Sequence, residues 1–323
     1  MRRGVNRHNP LLAALGMAAA VLTGCATART EAVRTEARCY PHMYLDNRYA
    51  IHGTYAGAAP TTDDSDCYRF IYRPDGRIAR VDYQRRGTAT PDPSFGVASV
   101  RVEYSGSTET RTFLGPDGRP APNAGGLYAL QLKHDWSGNP VEWRNLGAGG
   151  ELVEDKGSGL AILRWRYDGQ GRMIEESHLG ANEQLKADGR RGVAIVRWRY
   201  DRQGNTLEES YFGADGRPTG DRLRGVAAVQ WGYGTHGKTI EESYFGADGQ
   251  RTEDKNRGVA TVRWQYDADW NTVEERYLGA DQRSKADRRL GVATIRWQYD
   301  RNGREIGTTM FDQDGTPVRS TRD

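Results

Sequence analysis

Apolar and polar residues alternate in short runs along most of this chain, and each run is broken by glycine. From 192 the sequence reads Gly-Val-Ala-Ile-Val-Arg-Trp-Arg-Tyr, then Asp201-Arg202-Gln203-Gly204, then Asn-Thr-Leu-Glu-Glu-Ser-Tyr-Phe-Gly. The first run is rich in β-branched and aromatic residues, and the break begins with Asp and ends with Gly. That pattern predicts two strands joined by a type I turn with a glycine bulge. Ala214-Asp215-Gly216-Arg217-Pro218 predicts a second turn. The frequent glycines and the absence of a 3.6-residue periodicity disfavour helix. Alternation then assigns faces. Ala194, Val196, Trp198 and Tyr200 point one way, and Val193, Ile195, Arg197 and Arg199 the other. If Tyr200 opposes Thr206, Trp198 should oppose Glu208 and Arg197 should oppose Glu209, a pairing repeated by Arg164 with Glu176 and Arg263 with Glu275.

The same unit recurs. Gly159, Gly192, Gly225, Gly258 and Gly291 fall at intervals of 33 residues, with earlier copies at Gly96 and Gly126. Trp165, Trp198, Trp231, Trp264 and Trp297 keep phase with them, as do Tyr167, Tyr200, Tyr233, Tyr266 and Tyr299. Tyr72-Arg73-Pro74-Asp75-Gly76 aligns with 200–204 as a worn first copy. The prediction is an all-β fold: an elongated solenoid or twisted sheet of about eight tandem antiparallel β-hairpin repeats. Its aromatic ladder is structural, gluing each repeat to the next.

Tyr-Asp-x-x-Gly followed by Asn or Arg, at 167–172, 200–205 and 299–304, resembles the core of YD repeats, the Rhs-type hairpin repeats of bacterial surface and toxin-carrying proteins. The resemblance implies the hairpin fold. The period of 33 is longer than that family's spacing, and eight units are too few for its enclosing shell, so function does not transfer with the fold.

The N-terminus reads differently. Arg2, Arg3 and Arg7 precede an apolar stretch from Leu11 to Gly24, which has the length of a signal-peptide core and is too short to span a bilayer. Leu22-Thr23-Gly24-Cys25 resembles the lipobox of bacterial lipoproteins. That resemblance implies that Cys25 is acylated and becomes the first residue of the mature chain. With Ala26 after it, sorting to the outer membrane is implied, on the periplasmic face or the cell surface. Cys39 and Cys67 remain; in an oxidising compartment a disulfide is expected, two free thiols being the alternative. The expected organisation is a signal peptide at 1–24, a lipidated tether at 25–37, a disulfide-closed cap at 38–67 and the repeat domain at 68–323.

Charge narrows the partners. Taking the three leader arginines from the 46 basic residues leaves as many as the 43 acidic ones, which gives no compositional case for a nucleic-acid partner. An outward face bearing Arg164, Arg166, Arg197, Arg199, Arg263 and Arg296 is a candidate binding surface for an acidic envelope component, although cross-strand pairing with glutamate is the preferred account of it. The recurrent pairs Glu175-Glu176, Glu208-Glu209, Glu241-Glu242 and Glu274-Glu275 do not suit acid–base catalysis, because neighbours on a strand face opposite sides. His178 and His134 occupy aromatic positions of the repeat and read as substitutions within the sheet, and no metal-ligand spacing, phosphate loop or nucleophile elbow is present. No catalytic residue, metal or cofactor is expected. The sequence points to a non-enzymatic envelope lipoprotein, membrane-bound through its lipid, that acts as a scaffold or binding module for a protein or an envelope glycan. An immunity or inhibitor lipoprotein against an exported toxin is the alternative, and an envelope hydrolase is least favoured.

Overall fold

The computed structural model describes residues 37–46, 48–54 and 66–322. Cys25, the signal segment and nearly all of the tether lie outside the described residues. Among those described there is no helix, and the chain is all-β, built of successive antiparallel hairpins as the alternation predicts. It divides into two compact units, one comprising residues up to 140 with 146–151, the other comprising 141–145 and 152–323.

In the first unit, β1 (Ala37–Tyr40) pairs with β4 (Cys67–Tyr72), and β2 (His42–Leu45) and β3 (Ile51–Thr54) form a separate hairpin. β5 (Ile78–Arg85) continues from β4, takes the two-residue β6 (Thr88–Ala89), and pairs with β7 (Ser99–Ser105); β8 (Thr108–Leu114) and β9 (Ala129–His134) follow in order. Cys39 and Cys67 form a disulfide 28 residues apart in sequence, which ties β1 to β4. The core here is Tyr40, Phe70 and Val81, with Ile51, Tyr72 and Ile78 packed against it.

The second unit runs from β10 (Pro140–Leu146) through β11 (Ile162–Tyr167), β12 (Met173–Leu179), β13 (Ile195–Tyr200), β14 (Thr206–Phe212), β15 (Ala228–Tyr233), β16 (Thr239–Phe245), β17 (Thr261–Tyr266), β18 (Thr272–Leu278), β19 (Thr294–Tyr299), β20 (Glu305–Phe311) and β21 (Pro317–Arg322). Each of these strands pairs antiparallel with the next.

The expected turn is present. Asp201 N donates to Asn205 O, Gly204 N donates to Asp201 O, and Gly204 takes φ +93°, a left-handed value that costs glycine nothing. In β17–β18 Trp270 stands at the glycine position and takes φ +64°. The bulge shifts the register between Arg199 and Tyr200. Tyr200 does oppose Thr206, but Trp198 then opposes Glu209 and Arg197 opposes Ser210, one residue away from the sequence-based expectation. The Arg164–Glu176 and Arg263–Glu275 pairings fail for the same reason, since Arg164 faces Ser177 and Arg263 faces Arg276.

A second difference lies at the strand start. Residues 192–194 precede β13 as an irregular bend, so alternation does not extend back through them. Val193, expected outward, is fully buried and joins Val196, Tyr211 and their copies in the core, with Trp198, Trp231, Trp264 and Trp297 packed alongside. Each such buried valine contributes about 1.5–3 kcal/mol relative to exposure.

The segment between hairpins is also ordered by repetition. Asp221 Oδ1 accepts from the amides of Leu223 and Arg224, closing a tight loop. The loops then stack, with Arg222 N donating to Arg191 O, Lys255 N to Arg224 O and Arg288 N to Arg257 O, each at 2.7 Å.

Candidate functional site

Two faces of the second unit carry charge, and they are organised differently. On the outer face the first glutamate of each pair meets arginines. Arg197 Nε lies 2.8 Å from Glu175, Arg263 Nε 2.8 Å from Glu241, Arg296 Nε 2.7 Å from Glu274 and Arg164 Nε 2.6 Å from Glu142. These contacts join one hairpin to the one before it, because Glu175 opposes Arg197 and Glu241 opposes Arg263 across the junction. Arg166 and Arg199 pair within their own hairpins, with Glu175 at 3.4 Å and Glu208 at 2.8 Å. All six candidate arginines are therefore ion-paired, yet the side chains of Arg166 and Arg199 remain about two-thirds exposed, at 67% and 65%. Burial disfavours the charged form of Glu142 and Glu241. Hydrogen bonds outweigh it, from Arg144 and Arg164 in the first case and from Arg263 and Ser243 in the second, and both carboxyls stay below their ordinary range.

The second glutamate of each pair points inward. Glu209, Glu242 and Glu275 meet Arg191, Arg224 and Arg257, which come from the stacked loops, at 3.6, 3.2 and 3.4 Å. Each of these arginines also reaches the loop aspartate of the next repeat: Arg191 to Asp221 at 2.8 Å, Arg224 to Asp254 at 3.6 Å, and Arg257 to Asp287 in a short contact. Each guanidinium lies over a buried tyrosine, with Arg191, Arg224 and Arg257 at 4.6, 4.9 and 4.8 Å from the ring centres of Tyr211, Tyr244 and Tyr277. Burial pushes the three phenols well above their ordinary value. This internal ladder of Arg, Glu, Asp and Tyr escaped the sequence reading. Its members stand 18, 20 and 30 residues apart, and the arginine and aspartate lie in what reads as loop.

One rung differs. At the Arg191 position the preceding repeat has Ser158, and Gly189 N donates to Ser158 O as Arg222 N donates to Arg191 O. Glu176 and Asp188, 3% and 2% exposed, thus have no arginine between them. His178 stands where Tyr211 stands in the next repeat. It is fully buried, its Nε2 lies 2.8 Å from Glu176 Oε1, and its Nδ1 lies 2.9 Å from Val193 O and 3.9 Å from Asp188. Trp165 Nε1 donates to the other oxygen of Glu176 at 2.8 Å. Burial pulls the His178 pKa down, but the bond to Glu176 and the charges of Glu176 and Asp188 outweigh it and hold the imidazole above its ordinary 6.5. The sequence-based view of His178 as an aromatic substitution places it in the sheet and misses its contacts with Glu176 and Asp188.

The aromatic columns hold the repeats together. Trp165 is 2% exposed, and the other four tryptophans are partly buried against the valine and tyrosine core. The hydroxyls of Tyr200, Tyr233, Tyr266 and Tyr299 donate to the carbonyls of Met173, Thr206, Thr239 and Thr272 in the preceding hairpin, at 2.7 to 3.0 Å. Tyr167 belongs to the same column. Replacing Tyr233 by Phe removes one such bond, and urea unfolding should show a loss of about 0.5–1.5 kcal/mol. Elsewhere, Asp46 accepts from His52 at 2.9 Å, and His42 lies opposite Thr54. Among the described residues no group of three or more His, Cys, Asp or Glu is placed to hold a metal ion.

No protein-family model matches the chain, and no curated protein matches it. Among solved structures it is similar over 80% of its length to a crystal structure of TcdB2-TccC3-TEV, at 12% identity and TM-score 0.20, and it spans 15% of that chain. It is also similar to a porin-like protein from Bacteroides uniformis (7% identity, 80% of this chain and 91% of that one, TM-score 0.26). A Photorhabdus luminescens Tc holotoxin pore structure matches 80% of this chain and 14% of its own, at 12% identity and TM-score 0.21.

Proposed function

We propose that this chain is a non-enzymatic envelope lipoprotein, anchored through a lipid on Cys25 in the outer membrane, whose hairpin repeats form a scaffold or binding module for a protein or an envelope glycan. The lipobox resemblance at 22–25 is the basis for the anchor and the location. The observation that carries the binding role is the outer face of the second unit, where Arg and Glu recur strand after strand at fixed spacing with guanidinium groups left accessible. A regular row of partly exposed charge suits an extended polymer or a long protein surface better than a small substrate. The catalytic reading gains nothing from the glutamate pairs, since one of each is tied to outer arginines and the other to the inner ladder.

Retention by isolated envelopes of a Cys25→Ser form, which has no lipid to hold it there, tests the role. Replacing Arg164, Arg166, Arg197 and Arg199 by Ala should abolish retention while the protein stays folded. Unchanged retention would return these arginines to a purely structural role. Labelling with a palmitate analogue should disappear in a Cys25→Ser variant, and persistent labelling would remove the anchor.

A further inference from the structure

The first unit holds a cavity of about 390 Å³, and β1 and β3 supply part of its wall. Three tyrosines line it: Tyr40 from β1, Tyr72 at the end of β4 and Tyr104 near the end of β7. His52, Arg77 and Glu109 complete its polar lining. A Cβ on Gly53 would fall 2.3 Å from the Tyr40 ring, so the absence of a side chain there is what lets that ring lie over the β3 backbone.

Tyr104 is the informative member. It aligns with Tyr200, Tyr233, Tyr266 and Tyr299, whose hydroxyls are all taken up by a carbonyl of the preceding hairpin. The equivalent carbonyl would be that of Ile78, but the Tyr104 hydroxyl has no hydrogen-bond partner among the described residues, and Tyr104 lines the cavity instead. Arg77 and Arg73 lie over its ring at 4.5 and 5.4 Å, which fixes the ring in place.

The charges around the cavity identify the ligand chemistry. Arg77 is paired with Asp75 at 2.6 Å, His52 with Asp46 at 2.9 Å, and Glu109 with Arg111. The lining guanidinium and carboxylate are already paired, so they offer directed hydrogen bonds more than net charge, and Arg73, which has no carboxylate partner among the described residues, gives one nitrogen to the Val102 carbonyl and buries its Nε. Two guanidinium groups on the Tyr104 ring also disfavour a cationic guest. What remains attractive is a neutral ligand that is rich in hydroxyls, able to donate and accept, and able to lay an apolar C–H face on tyrosine rings.

We infer that this cavity is a saccharide-binding site, taking a neutral sugar unit against Tyr40, Tyr72 and Tyr104 with the Tyr104 hydroxyl bonded to the sugar. The inference rests on the binding-module reading and gives it a substrate class and a place.

The test uses the full-length protein in detergent micelles, with calorimetry and saturation-transfer NMR against maltotriose and chitotriose as neutral probes, trigalacturonate as an anionic probe and choline as a cationic one. Binding of a neutral saccharide is expected. Tyr104→Phe should weaken it roughly five- to tenfold through loss of one hydrogen bond, Tyr104→Ala should abolish it, and Arg301→Ala, at a hairpin turn of the second unit, should leave it unchanged. Failure of both neutral saccharides, a preference for trigalacturonate or choline, or an unaltered affinity in Tyr104→Phe would each overturn the site. The two readings fail separately. Envelope retention that survives while saccharide binding is absent removes only this inference. Maltotriose binding by a protein that no envelope fraction retains removes only the role of the arginine face.

Discussion

Replacing His178 by tyrosine, the residue that the next three repeats carry at that position, should destabilise the protein by about 3–5 kcal/mol below pH 6.5, although it restores the repeat's own pattern. His178 is the only cation among the described residues within 4 Å of Glu176 and Asp188, which are themselves almost entirely buried. In neighbouring rungs an arginine supplies that charge, but here the arginine position is Ser158. Tyrosine would leave two carboxylates facing each other with only Trp165 Nε1 and backbone amides for company. The remedy follows from the same geometry: Ser158→Arg combined with His178→Tyr rebuilds the standard rung and should recover most of the loss. Two single changes that each harm and together repair would show that the positions act as a unit.

His178 also gives the wild type a pH signature. The imidazole's pKa is raised in the folded state, so its stabilisation is complete below the unfolded value of about 6.5 and disappears as pH rises through the higher folded value. The groups facing the ring are Glu176 from its own strand, Asp188 from the stacked loop and the Val193 carbonyl, and both acids favour the imidazolium. Urea unfolding at pH 6 and at pH 8 should therefore show a wild type that weakens at the higher pH and a Ser158→Arg/His178→Tyr variant that does so much less. Equal pH dependence in the two proteins, or a single His178→Tyr variant as stable as the wild type, would remove the charge assignment.

How far the sequence reached is a matter of which interactions are local. The turn at 201–205 is written in five adjacent residues, and the alternation that turns Val196, Trp198 and Tyr200 inward needs only one strand, so both were legible. The outer arginines were legible as glutamate partners in kind but not in identity. The bulge beside Tyr200 slips the register by one residue, and Arg197 then finds its glutamate in the preceding hairpin. Val193 was misplaced because alternation was carried through a bend that is not strand. The inner ladder is a product of stacked loops and had no single-strand signature. A signal existed nonetheless in the columns of the repeat. Arg at 191, 224 and 257 accompanies Tyr at 211, 244 and 277. Ser158 accompanies His178, and Leu290 accompanies Thr308 and Met310. Positions that change together from copy to copy within one chain are positions that touch.

The inner ladder should also govern stability far more than the outer rows. Arg191 is 5% exposed at its side chain and Asp221 2%, joined at 2.8 Å, whereas Arg199 is 65% exposed beside Glu208 at the same distance. Equal distances do not mean equal energies. Water screens the Arg199 pair and competes for both ions, and exposed pairs of this kind contribute about 0–1 kcal/mol. Arg191→Met leaves Glu209 and Asp221 charged, buried and unpaired, with an expected loss of about 3–5 kcal/mol, while Arg199→Ala should lie within about 1 kcal/mol of the wild type. Asp221→Asn separates the charge from the loop. Asparagine keeps an oxygen for the amides of Leu223 and Arg224 and drops the charge, so Arg191→Met/Asp221→Asn should be less damaging than the sum of the two single changes by at least about 1 kcal/mol. Strict additivity in urea unfolding would mean that Arg191 stabilises through its packing on Tyr211 rather than through charge, and the ladder would then be a stack of rings and not of ions.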